Sequence, residues 1–189
     1  MTFLSSCEET SLETFEVPET SYDISVMQFL ADPGQVIFFN ETFASDDYSL
    51  FIQALERTGL DVSAVSGKNN TIFAPGSVTM QRILDSDDTW NTIDDIPIDI
   101  LTDILETHIL SGRFLREDFR QSPGSYSTLA GNSINVSVTN IGDTGRGLNI
   151  RVGAALVQSA DLQFTDGVVH TYGTAGTRAN NSESQPLGL

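Results

Sequence analysis

The chain has 189 residues, 26 of them acidic and 9 basic, for a formal net charge of -17 at pH 7. A surface this negative repels phosphate and anionic headgroups, which excludes nucleic acid and acidic lipid as partners and leaves cations, cationic polymers and basic proteins. With 39% hydrophobic residues and a mean hydropathy of -0.08 the chain can build a real core, and no apolar run reaches the ~18 residues of a membrane span.

Residues 1–20 read as a disordered tail, because Ser, Thr and Glu dominate and large apolar groups are few. Cys7 is the only cysteine, so no internal disulfide can form and the fold must rest on its core. Leu4-Ser5-Ser6-Cys7 resembles the cleavage box of bacterial lipoproteins, which makes Cys7 a candidate lipidation site. Asn40, Asn69, Asn135 and Asn180 each stand two residues before Ser or Thr, as N-glycosylation on a eukaryotic secretory route requires. The two signals differ in kingdom and agree on export, so an extracytoplasmic location is expected.

Residues 21–174 read as one domain. Two short apolar runs, 24–30 and 36–39, are broken by Asp32-Pro33-Gly34, which predicts two strands or a strand and a helix. Ser45, Asp46 and Asp47 offer a cap to a helix burying Tyr48, Phe51, Ile52 and Leu55, stopped at Gly59. Thr71 to Ala74 reads as a short buried strand, ended by Pro75-Gly76. Ser77 can cap the next helix, which buries Val78, Ile83 and Leu84. Asp85 to Asp95 forms an acidic loop around Trp90. The clearest helix follows Pro97, with Ile100, Leu101, Ile104, Leu105, His108 and Ile109 in one stripe and Gly112 beyond its end.

After Gly112 the period changes to two. Ile134, Val136 and Val138 alternate with polar residues, as do Leu148, Ile150 and Val152, and the Gly- and Asp-rich segment between them suits a hairpin. Leu156-Val157 and Val168-Val169 read as further strands. Helices early and antiparallel strands late make an α+β domain. Residues 175–189, rich in Gly, Thr, Asn and Ser, read as a flexible tail.

Several of these pieces, in this order, resemble the fasciclin domain family. Thr71, Phe73, Ala74 and Pro75 fall in a segment similar to its first signature, and Leu105 to Gly112, centred on His108, to its helix-end motif. Thr128-Leu129-Ala130-Gly131 is similar to its Thr-Leu-x-Gly turn. Gly153-Ala154, Leu156-Val157, Asp161-Leu162 and Gly167-Val168-Val169-His170 resemble its closing signature. The resemblance covers residues 46–172, in a single copy. Several positions depart from the pattern: Gly76 to Met80 stands where a stretch ending in Ala-Phe is usual, Thr107 replaces an aromatic, Ser111 a proline, Phe164 an alanine and Asp166 an asparagine, and the segment after His170 is short and polar. The resemblance implies a fasciclin-like fold, an antiparallel β-sandwich or wedge with several helices packed around it. It makes Thr71, Phe73, Ala74, Pro75, His108, Gly112, Leu129, Gly131, Gly167, Val169 and His170 structural. It also places Asp161 and Leu162 where animal members carry a receptor-binding Asp-Ile pair, although a plain lead into a strand fits them as well.

Catalysis finds little support. His108 lies on an apolar helix face and His170 follows two valines, so both read as core histidines holding a partner. Gly142 to Gly147 superficially resembles a phosphate loop but lacks its lysine and its helix, so a hairpin loop is expected. Asp85, Asp87, Asp88, Asp94 and Asp95 supply hard oxygen ligands without the glycine and closing glutamate of a calcium loop. The expectation is therefore a solvated acidic loop, no metal, no cofactor and no enzyme. The sequence points to an exported adhesion or matrix-binding module for a protein or polysaccharide partner, the alternative being a lipid-anchored receptor for a small ligand. Self-repulsion at -17 is screened by counterions, so the melting temperature rises between low and ~1 M NaCl; a scanning calorimetry series that is flat or falling would refute an acidic surface suited to salty surroundings.

Overall fold

Local chemistry sets the helices. The computed structural model describes residues 21–38, 41–42, 46–62, 70–140, 148–173 and Leu187. Helix α1, Val26–Ala31, opens with a reciprocal cap: the Gln28 N–H donates to the Ser25 hydroxyl and the Ser25 N–H to the Gln28 side chain. The run 24–30 is thus a helix, and a 3-10 turn over Pro33–Gln35 leads to the short hairpin β1, Ile37–Phe38, with β2, Glu41–Thr42. Helix α2, Ser49–Thr58, begins where the Asp47 carboxylate accepts the Ser49 N–H at 2.8 Å, and ends at Gly59, whose φ of 68° is the left-handed conformation that glycine adopts freely. Helix α3, Ser77–Leu84, buries Thr79, Met80, Ile83 and Leu84, while Val78 is only half-buried; Gly76 is its cap and Ser77 its first residue.

Helix α4, Ile98–Thr107, buries Leu101, Ile104, Leu105 and Thr107. Ile100, expected in that stripe, is 40% exposed, because at 3.6 residues per turn it lies to one side of Leu101 and Leu105. His108 caps the helix, and Ile109 opens strand β4, Ile109–Ser111. Helix α5, Arg116–Gln121, was not foreseen.

Two four-stranded sheets carry the domain. The first runs β4, then β3 (Asn70–Pro75), β10 (Gly167–Tyr172) and β9 (Ser159–Phe164). The second is an antiparallel meander of β5 (Gly124–Ser127), β6 (Ser133–Asn140), β7 (Leu148–Val152) and β8 (Ala155–Leu156). The expected antiparallel order holds with one exception at the centre of the first sheet. There β10 runs parallel to β3, with Gly167 to Tyr172 in register with Asn70 to Pro75. Both central strands are buried along their whole length, since one face of the sheet meets helices and the other meets the second sheet.

The core accordingly has two parts. Helices α1 to α4 pack Phe29, Phe51, Leu55, Met80 and Leu105 against Ile72, Ala74, Leu162 and Val169. On the other side Phe73, Leu110 and Tyr172 meet Ile134, Val136, Ile150 and Val152 of the meander. Strand β9 breaks the rule that residues two apart share a face. Ala160 belongs to the second cluster and Leu162 to the first, because Asp161 adopts a φ of 62° opposite a bulge in the β9–β10 pairing. Among the described residues no helix is long and apolar enough to cross a membrane.

Candidate functional site

Both histidines sit between the sheets and their covering elements, fully buried. His108 stops α4, and its Nδ1 lies 2.7 Å from the carbonyl of Ile104 while its Nε2 lies 2.7 Å from the Tyr172 hydroxyl. A carbonyl can only accept, so Nδ1 carries the proton and Nε2 receives the tyrosine O–H. Burial lowers the His108 pKa to about 4, against which the bond to Ile104 acts weakly. Burial also raises the Tyr172 phenol well above its ordinary value, so it stays protonated and donating. Leu187 is buried in the same cluster as Tyr172.

His170 is a second brace. Its Nε2 donates to the Phe114 carbonyl at 3.0 Å and its Nδ1 accepts the Asp161 N–H at 3.3 Å. The ring stacks on Phe73 at 5.4 Å and meets Phe119 edge-on at 5.6 Å. Burial lowers its pKa, with the Asp161 carboxylate pulling the other way. Neither imidazole opens onto solvent, and each has both nitrogens engaged, so neither is placed as a general base.

Asp161 and Leu162, the candidate receptor pair, lie inward. Leu162 is fully buried. The Asp161 side chain is 17% exposed and pairs with Arg116, Nη2 to Oδ2 at 3.2 Å. Its Oδ1 also accepts the Arg116 N–H at 2.6 Å, at the first residue of α5. An exposed carboxylate beside an exposed aliphatic side chain is therefore not what the fold presents here. The reason is the bulge, which turns Leu162 into the helical core and Asp161 towards α5.

The remaining motif residues are tied to the same junction. The Thr71 hydroxyl donates to the Gly112 carbonyl at 2.7 Å and accepts the Phe114 N–H at 2.8 Å, which fixes the loop that delivers Phe114 to His170. Gly112 has a φ of 131°, and a Cβ there would come within 2.8 Å of the Phe114 ring. Phe73 and Ala74 point to opposite clusters, and Pro75 ends the strand buried. Leu129 donates its N–H to Ile109, and Gly131 closes the Thr128 turn. Gly167 starts β10 against the Asn70 carbonyl, and Val169 lies in the helical core. Thr107, in place of the aromatic, accepts a bond from Asn132 at 2.9 Å and so joins the end of α4 to that turn. Cys7, the sequons at Asn40, Asn69 and Asn180, and the loop 142–147 lie outside the described residues. Asn135 is exposed on β6.

The acidic loop uses its carboxylates locally. Asp95 accepts the N–H groups of Asn91 and Thr92, Asp87 binds Thr89, and Asp94 pairs with Arg57 at 3.5 Å. No group of acidic, His or Cys side chains among the described residues is arranged to hold a metal. A surface depression of about 590 Å³ lies between α2 and α3, lined by Asp47, Leu50, Ser77, Val78, Gln81, Arg82 and Asp85. It is open and charged, and it contains neither histidine. Tyr172, Arg116 and Leu187 were not foreseen; a tyrosine three residues from a buried strand's valines was the available signal for the first.

The fasciclin domain family model matches residues 46–173. Among solved structures, the chain is similar to a FAS1 domain pair from the insect cell adhesion molecule fasciclin I. The TM-score is 0.52 at 20% identity, over 75% of this chain and 44% of that one. The chain thus spans less than half of that domain pair, and at this identity the likeness is one of fold alone. No curated protein matches the chain.

Two outcomes follow from the braces. The unfolded chain binds a proton on His108 from about pH 6.5 down, and the folded chain refuses it until about 4. Stability is therefore constant above that window as far as this group is concerned and falls with pH within it, by on the order of 3 kcal/mol. Of the carboxylates held low, Asp47, Asp87 and Asp95 lose their contribution below the window, and Glu117 begins to lose its own at the window's acid end, near pH 4.5. Urea unfolding at pH 7.5, 6, 5 and 4.5 shows this slope in the wild type and a shallower one in His108→Gln; equal slopes would remove the brace from the account. At the bulge, Asp161→Ala loses about 2–4 kcal/mol, from the Arg116 bonds and from an alanine forced to positive φ. Asp161→Asn, which tolerates that φ and still accepts from Arg116, loses less than half as much on the same assay.

Proposed function

Since the chain belongs to the fasciclin domain family, we propose that it is a non-enzymatic adhesion or matrix-binding module outside the cytoplasm. Its partner is an extracellular protein or polysaccharide, met through surface residues on a rigid scaffold. The observation that carries this reading is the internal use, among the described residues, of both histidines and of the Asp161 carboxylate. His108 and His170 are buried with both nitrogens bonded, and the Asp161 carboxylate holds Arg116. What remains for a partner is the exposed surface, and its charge selects the partner's chemistry. The carboxylates of Asp87, Asp88 and Asp94 are exposed in the segment preceding α4, and Asp99 and Asp103 are exposed on α4 itself. A basic or cation-bridged partner fits an acidic surface of this kind.

Export is supported by the Cys7 box and by the sequons, of which Asn135 is exposed, with lipidation at Cys7 as the proposed anchor. Domain limits of 21–174 are part of the same reading, and the family match at 46–173 falls within them. The open, charged depression between α2 and α3 gives the small-ligand alternative no enclosed apolar site.

The deciding measurement is surface plasmon resonance of the purified chain against immobilised matrix proteins and polysaccharides, with and without calcium, at low and high salt. Saturable binding to one class is expected, weakened roughly 10-fold or more between 50 and 500 mM NaCl, and reduced by Asp87→Asn with Asp88→Asn. No binding to any surface, even with the chain displayed in many copies, would sink the adhesion reading.

A further inference from the structure

The first turns of α2 and α3 are pinned together. The Asp47 carbonyl accepts the Ser77 N–H at 2.7 Å, and the Ser49 and Ser77 hydroxyls stand 3.4 Å apart. At that junction lies the depression of about 590 Å³, a volume within the ~300–1,000 Å³ of ligand sites. Ser77, Val78, Gln81, Arg82 and Asp85 recur at helical spacing and form one wall, and Asp47 and Leu50 form the other. The polar groups are of both kinds. The Asp47 and Asp85 carboxylates accept, the Arg82 guanidinium donates, and the Gln81 amide and Ser77 hydroxyl do both. Two of them are already oriented, since the Ser49 N–H donates to Asp47 at 2.8 Å and the Gln81 amide to Asp85 at 2.9 Å. Leu50 and Val78, both half-buried, supply apolar surface among them. This lining selects by elimination. Asp47 and Asp85 repel phosphate, sulfate and carboxylate, Arg82 opposes a bare cation, and a hydrocarbon gains nothing from charged walls. What fits is an uncharged ligand whose hydroxyls both donate and accept and whose C–H face is apolar, which is the chemistry of a pyranose ring. Because the depression is open, a chain of such rings can continue past it, as an enclosed pocket would forbid.

We propose that the depression between α2 and α3 is a saccharide subsite that holds one uncharged pyranose unit of a polysaccharide, with Asp47, Gln81 and Asp85 on its hydroxyls and Leu50 and Val78 against its C–H face. The proposal rests on the adhesion reading and deepens it, by assigning polysaccharide in place of protein to this site. It adds a contact that salt does not screen, because the ligand carries no charge. Binding orders little in the protein, since the carboxylates are held in place before the sugar arrives. A single open site of this kind has an affinity on the order of millimolar, and copies displayed together on a surface multiply it.

The test follows the amide resonances of the isotope-labelled full chain while cellohexaose, laminarihexaose and mannohexaose are added in turn. Saturable shifts with at least one of these sugars are expected, centred on Asp47 to Leu50 and Ser77 to Asp85. The dissociation constant changes less than about twofold between about 50 and 500 mM NaCl. Gln81→Ala and Asp85→Ala each weaken binding about 5- to 10-fold, whereas Gln121→Ala, on α5, leaves it unchanged. All three of these side chains are exposed, so the variants keep the fold. No shift with any of the sugars, shifts centred on another surface, or wild-type binding by both Gln81→Ala and Asp85→Ala overturns the proposal. A chain that binds an immobilised matrix protein and ignores every sugar overturns it and leaves the adhesion reading standing; that reading fails only when no surface of either class is bound.

Discussion

The parallel pairing of β3 with β10 is the constraint on which the rest of the domain depends. It joins residues 70–75 to residues 167–172 and places both strands at the centre of one sheet. Helices cover one face and a second sheet covers the other, so neither strand has a wet side. Every polar group on them must then find a partner inside the protein. Thr71 bonds the loop after Gly112 and the Asn70 amide reaches the Val62 carbonyl, whereas the Thr171 hydroxyl is buried without a hydrogen-bond partner among the described residues. Beside the sheet, the buried Tyr48 bonds Asp46 at 3.1 Å.

The two histidines answer the same demand along β10, His170 from within the strand and His108 through Tyr172 at its end. A neutral imidazole has one donor and one acceptor on opposite sides of a flat ring, and it can bridge a carbonyl to a hydroxyl or an amide while packing like an aromatic residue. His108 does this between α4 and Tyr172, and His170 between Phe114 and the β9 bulge. The groups that a sequence reader marks as reactive therefore join the covering elements to the central sheet. At the surface the chain's negative charge acts over longer distances than any single contact.

How much of this the sequence disclosed depended on whether a residue's partner was near in the chain. Helices α2 and α4 were readable because their apolar residues recur with the helical period, and β6 and β7 because theirs alternate. Helix α5 was hidden: among Arg116, Glu117, Asp118, Arg120 and Gln121 only Phe119 is buried, and one apolar residue makes no stripe. Strand β5 was hidden likewise, since Gly-Ser-Tyr-Ser carries little apolar signal. The inward turn of Asp161 and Leu162 follows from a bulge against β10, which no local pattern encodes. The fasciclin motifs are successive signatures along the chain and carry no information on the bonds between them. Leu187 stood alone in a polar tract, and its burial depends on a cluster assembled from strands far upstream.

The register of β10 on β3 also sets a timetable. β3 lies near the middle of the chain, and the strand that completes its sheet is made about a hundred residues later. Until residue 172 has left the ribosome or a translocation channel, Ile72 and Phe73 have no neighbour on that side, and helices α1 to α4 rest on half a sheet. Contacts so distant in sequence delay folding, because chain closure must precede their reward. A chain that cannot finish folding before its last strand appears stays threadable until late, and it does so without a disulfide to lock it early.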